Sequence, residues 1–94
     1  MRMAERIEHK LTEALQASRV SVHDDSHRHR GHREAAPGGE THFRVEIVAA
    51  RFAGLNAVER HRLVYDTLAA ELGDQVHALQ VTARTPEEAV ARAS

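Results

Sequence analysis

Cysteine is absent from the 94 residues of this chain, and so is tryptophan. Without cysteine there can be no disulfide, no thiol nucleophile and no thiolate metal ligand, and thiol usage reveals no redox compartment. Two phenylalanines and one tyrosine are the only aromatics. The core must therefore rest on Leu, Ile, Val and Ala, and a platform for stacking single-stranded bases is lacking. Neither sign of charge dominates. Thirteen Lys and Arg face 14 Asp and Glu, for a formal net charge of −1, so no global field drives the protein onto nucleic acid or acidic membranes. No apolar run approaches the roughly 20 residues that span a bilayer. The N-terminal MRMAERIEHKL carries charges where a signal peptide has its apolar block. These absences lead us to expect a soluble, cytoplasmic protein with one domain over residues 1–94 and a single aliphatic core.

What the chain has in abundance is histidine, eight in all. His23, His27, His29 and His32 lie close together, the last three within the run HRHRGH, and His77 falls near the start of the last predicted strand. Imidazole binds borderline metals and changes charge near neutral pH. A metal centre that needed thiolates as well would have to borrow them from another molecule.

Periodicity orders the rest. Met3, Ile7, Leu11, Ala14 and Leu15 recur at helical spacing, and Ser18 and Arg19 should end that helix. Val20–His23 alternates as a short strand with its valines inward. Residues 24–40 break every period and hold Gly31, Pro37, Gly38 and Gly39, which is loop chemistry. Structureless loops longer than about 12–15 residues are uncommon and often functional. Thr41–Val48 alternates again, with Phe43, Val45 and Ile47 on one face and His42, Arg44 and Glu46 on a polar face that should meet solvent. Arg51–Leu55 reads as a turn. Asn56 and Glu59 can form a capping box for a second helix striped by Val64, Leu68 and Leu72, which a left-handed Gly73 should close. Val76–Thr82 alternates with His77, Leu79 and Val81 on one face. Thr85 and Pro86 then supply an N-cap and a first helical residue for a short terminal helix. The order is α-β-β-α-β-α, an α/β (α+β) fold. The first two strands should pair antiparallel across the long loop and the third should lie parallel to a neighbour, giving a three-stranded mixed sheet with helices on one face.

In series, Asp24-Asp25-Ser26 before a His-bearing loop, Gly39-Glu40-Thr41-His42-Phe43, Arg51-Phe52-Ala53-Gly54, Arg60-His61-Arg62-Leu63-Val64-Tyr65, Val76-His77-Ala78-Leu79 and Arg84-Thr85-Pro86-Glu87 resemble the BolA family over nearly the whole chain. The resemblance implies a class II KH-like fold, which agrees with the element order above. It also implies a partner, a monothiol glutaredoxin, with which such proteins share a 2Fe–2S cluster. The glutaredoxin brings a cysteine and the thiol of glutathione, and the BolA side brings histidine or cysteine. This chain looks like the His-loop type. Alone it would be a monomer holding no cluster stably, and with its partner a heterodimer. Family membership also implies roles in iron regulation, cluster trafficking and transcription.

On this basis His77, in the VHAL string, is the expected fixed ligand. The loop ligand falls on His29, failing that His32, and last His27. Without the resemblance His77 would read as a strand histidine satisfied by one hydrogen bond. HxHxxH in a glycine-containing loop suits adventitious metal better than a dedicated zinc site. His61 shares a helix side with Val64, Tyr65 and Leu68 and is expected to be a packed structural residue. Leu63 lies opposite that stripe, where it could belong to a partner surface. The alternative function is DNA binding, with Arg51, Arg60 and Arg62, and Arg28, Arg30 and Arg33 of the loop, on phosphates. The adjacent Gly38-Gly39 is not the GXXG that clamps RNA. With no nucleophilic cysteine and no phosphate loop after a strand, an enzyme is not expected.

Overall fold

A computed structural model describes residues 2–25, 42–74 and 76–93. Helix α1 (Met3–Leu15) is followed by strands β1 (Arg19–Asp24) and β2 (His42–Val48), then a 3-10 turn at Ala50–Phe52. Helices α2 (Ala57–Thr67) and α3 (Ala69–Leu72), strand β3 (Ala78–Arg84) and helix α4 (Pro86–Ala93) complete the chain. The sheet order is β1-β2-β3, with β1 antiparallel and β3 parallel to β2, as the alternation and the crossover predict.

One face of this sheet carries Phe43, Val45, Ile47, Leu79 and Val81, all buried. Met3, Ile7, Leu11 and Leu15 of α1, with Val64 and Leu68 from the second helical segment, close over them. Ala14, predicted to share the α1 stripe, is exposed. The helix also stops earlier than expected, because Gln16 turns left-handed (φ 50°). Ser18 is then free to anchor the chain on β2, with both its N–H (2.9 Å) and its hydroxyl (3.2 Å) donating to the Val48 carbonyl. Among the described residues no helix is long and apolar enough to cross a membrane.

The Asn56 capping box is formed: Asn56 Oδ1 accepts from the Glu59 N–H at 2.8 Å, and Glu59 Oε1 accepts from the Asn56 N–H at 2.9 Å. Thr85 and Glu88 make the same reciprocal pair at the start of α4. Two expectations for the second helix need correction. The helix breaks at Leu68 (φ −101°, ψ 20°), and Gly73 closes α3 with φ −81°, in the right-handed region. Just before the break Thr67 Oγ1 donates to the Leu63 carbonyl at 2.8 Å, a back-bond of the kind that bends helices. The left-handed glycine is Gly54 (φ 82°), in the turn leading to α2. Leu63, expected opposite the stripe, is half-buried and packs against the core.

β3 is an outer strand, which would leave alternate carbonyls exposed to pairing by another strand. Three α2 side chains cover them. Tyr65 Oη donates to the Leu79 carbonyl (2.9 Å), His61 Nε2 faces the Val81 carbonyl (3.2 Å) and Arg60 Nη1 donates to the Ala83 carbonyl (3.1 Å). A carbonyl partner requires the proton on His61 Nε2, and the ring lies parallel to Tyr65 with centroids 6.4 Å apart. His61 is thus structural, as expected, although its ring sits at the surface.

Candidate functional site

The carboxyl end of β1 and the amino ends of β2 and β3 meet at one end of the sheet. Phe43 lies opposite Asp24, and His42 beside Ala78. The Asp25 N–H donates to the His42 carbonyl at 2.8 Å. Arg44 Nε donates to Asp25 Oδ2 at 3.2 Å, which anchors β1 where it leaves the sheet. Between Asp25 and His42 runs the segment with HRHRGH. His27, His29 and His32, and with them Arg28, Arg30 and Arg33, lie outside the described residues.

His77 lies at this same end. It was expected inside the last strand on the face of Leu79 and Val81. The strand begins at Ala78, two residues after the predicted start, and His77 is exposed while Leu79 and Val81 are buried. The reason lies on either side of it. The Val76 N–H is turned back to the Glu71 carbonyl at 3.1 Å and its side chain is buried, while Ala78 is the first residue in register with β2. His77 is therefore held at both neighbours, with its ring in solvent. Unlike His61, it has no hydrogen-bond partner among the described residues, so both ring nitrogens are open to an outside ligand.

Behind it lies a group that sequence reasoning missed. Glu71 is 1 % exposed and receives Arg6 Nε at 2.7 Å and Lys10 Nζ at 3.0 Å from α1. Burial pushes this carboxyl up, but the Lys10 hydrogen bond, a backbone hydrogen bond and the charges of Lys10 and Arg6 together hold it below its ordinary value. Arg6 and Lys10 stand one turn apart on the α1 flank, a spacing that marks a shared face. Nothing in the sequence said that a glutamate far along the chain would meet them. The Glu71 backbone that receives Val76 is thus fixed by its own side chain.

Among the described residues no other histidine joins His77 in a metal site, and no three His, Asp or Glu side chains converge. His23 Nε2 lies 3.7 Å from Glu46 Oε1, both exposed on the polar sheet face. Among the described residues His77 is thus a single ligand, which suits a centre whose remaining donors come from elsewhere.

The proposed phosphate contacts separate into two kinds. Arg51 and Arg62 are exposed. Arg60 is spent inside the fold. Only 15 % of its side chain is exposed, and it donates to the Leu55 and Ala83 carbonyls and to both Glu88 carboxylate oxygens, while lying 5.9 Å from the centre of the Phe52 ring. Its hydrogen bonds, with one from the Thr85 N–H, hold the Glu88 carboxyl down at about 2. Arg60→Ala should therefore lower stability by roughly 1–3 kcal/mol through orphaned carbonyls, read as a lower urea midpoint. A variant as stable as the parent would free Arg60 for phosphate contact.

The BolA-like protein family model matches residues 11–88. The human "BolA-like protein 1" is 48 % identical over 79 residues, which cover 84 % of this chain but 55 % of that protein. The "DNA-binding transcriptional regulator BolA" of Escherichia coli K12 is 43 % identical over 88 residues, covering 94 % of this chain and 80 % of that one. Among solved structures, BolA1 from Arabidopsis thaliana superposes with a TM-score of 0.80 at 39 % identity, covering 94 % of this chain and 96 % of its own.

Proposed function

Since this chain belongs to the BolA-like family, we propose that it acts as a non-catalytic partner of a monothiol glutaredoxin, lending histidine to a 2Fe–2S cluster held between the two. The observation that carries this reading is the exposed imidazole of His77, without a hydrogen-bond partner among the described residues, at the end of the sheet where the His-bearing segment is anchored. The donor set supports it further. A chain without cysteine cannot complete the coordination of a cluster, whereas a glutaredoxin cysteine and glutathione supply the thiolates. When bound, such a cluster supplies a transferable iron–sulfur unit with one-electron redox chemistry.

This chain's own part is to present ligands. His77 offers a ring nitrogen from a backbone position fixed by the Val76–Glu71 hydrogen bond, and His29 or His32 supplies the second. The output is cluster assembly or delivery, or iron-dependent regulation. DNA binding, the activity in the name of the Escherichia coli relative, is the second reading. It loses one of its three helix and turn arginines to the fold, because Arg60 is engaged internally.

The test is a titration of cluster-loaded, glutathione-bound monothiol glutaredoxin with this protein, followed by visible circular dichroism. The expected result is a saturable spectral change at one protein per cluster. An unchanged spectrum, with association shown by another method, would overturn cluster sharing.

A further inference from the structure

At the opposite end of the sheet from His77 the polar face is not flat. A concavity of about 250 Å³ opens there, with three arginines in its lining, Arg19, Arg84 and Arg92. Two belong to one row across the sheet, where Arg19 of β1 and Arg84 of β3 flank Val48 of the central strand. At about 4.8 Å between neighbouring strands, their backbones stand roughly 10 Å apart. Arg92 comes from the third side on α4, whose Ala89 joins Val48 in the apolar part of the lining. Among the described residues none of these three guanidinium groups has a hydrogen bond or an ion pair, in contrast to Arg6, Arg44 and Arg60. The three guanidinium groups outnumber the single carboxylate of the lining, Glu46, so the concavity is positive and a bound anion would relieve the repulsion among them.

We propose that this concavity binds the phosphoryl group of a small hydroxyl-bearing phosphate ester. A tetrahedral dianion can accept from three planar donor forks at once, which a single carboxylate cannot. The next row of the sheet holds Ser21, Glu46 and Thr82. Ser21 and Glu46 also line the concavity, so hydroxyl-bonding groups stand beside the arginine cluster. The same row argues against a nucleic-acid track. Beyond the arginines a phosphate backbone crossing the sheet would meet the Glu46 carboxylate and then Arg44, already committed to Asp25. The arginines converge at one end of the sheet and do not run along it.

The test is titration of the protein with glycerol 3-phosphate at constant ionic strength, followed by backbone amide NMR shifts and repeated on Arg84→Gln/Arg92→Gln. Both side chains are without partners among the described residues, so the double variant should keep the parental melting temperature. Saturable shifts at residues 19, 48, 84 and 92, weakened about tenfold or more in the double variant and absent with glycerol, are the expected result. Equal affinity in the double variant, or no saturable shifts, would overturn the proposal. So would tighter binding of a single-stranded oligonucleotide through the same arginines, which would make the site a nucleic-acid contact. The site lies away from His77, so none of these outcomes depends on cluster binding.

Discussion

His77→Ala is expected to abolish the spectral change that this protein induces in cluster-loaded glutaredoxin, while leaving its melting temperature within the range of a neutral surface substitution. Both halves follow from the same geometry. The side chain is exposed and has no hydrogen-bond partner among the described residues, so its removal opens no cavity and orphans no buried group. Surface changes of this kind usually stay within about 0.5 kcal/mol. The ligand function, by contrast, is all or none at a given nitrogen. His77→Cys should restore a spectrum of altered shape, because a thiolate at the same backbone position is again a cluster ligand. An unchanged spectrum for His77→Ala would remove the residue from the ligand set. Alanine at His29, His32 and His27, one at a time, identifies the loop ligand, with the largest effect expected at His29. Equal, small effects at all three would leave that segment a shielding role only.

The largest loss of stability is expected from Arg6→Ala/Lys10→Ala, which strips the buried Glu71 of both cations. The two sides of this cluster are unequal. Arg6 and Lys10 keep 44 % and 39 % of their side chains exposed, whereas Glu71 keeps 1 %. Replacing Glu71 by Gln leaves two cations that can turn to water, at a cost near the low end of buried-polar changes, about 1–2 kcal/mol. Removing the cations leaves a buried carboxylate with no countercharge to balance its desolvation, for which about 3–5 kcal/mol is the usual scale. At roughly 4–8 °C per kcal/mol for a chain of this size, the two variants should be well separated in a thermal scan.

The pH dependence follows from the direction of the shift. In the parent the Glu71 carboxyl is held below its ordinary value. Its contribution is therefore complete above the unfolded-state pKa and fades as pH falls through the lowered folded value. In the double variant burial, the largest effect on this carboxyl, is opposed only by the backbone hydrogen bond and raises it, so the penalty is greatest at neutral pH and shrinks on acidification. Denaturant midpoints of parent and double variant should converge between neutral and acid pH. A gap that stayed constant with pH would show that the two cations contribute packing only. Because the Glu71 carbonyl also receives Val76, the double variant should release the chain that enters β3. Amide hydrogen exchange would then rise first at residues 76–78.

Much of this protein was legible in the order of its residues. Alternation at Phe43, Val45 and Ile47, the Asn56–Glu59 box, the Thr85–Pro86 start and the antiparallel-then-parallel sheet all depend on contacts near in sequence or on a period of two, and all are present in the fold. The family was legible as well, from short strings in their proper series. What sequence could not supply were the meetings of residues distant along the chain. Glu71 with Arg6 and Lys10, Arg60 with Ala83 and Glu88, and Arg19 with Arg84 and Arg92 are each separated by a full element or more. The Leu68 break is of the same kind, since local periodicity favours one continuous helix and a bend was needed to bring α3 against α1. His77 shows the division in a single residue. Its string marked it as a ligand, but alternation placed it inward on a strand. Only the tie from Val76 to Glu71, itself set by a charge pair with α1, starts that strand at Ala78, two residues later, and leaves the imidazole in solvent.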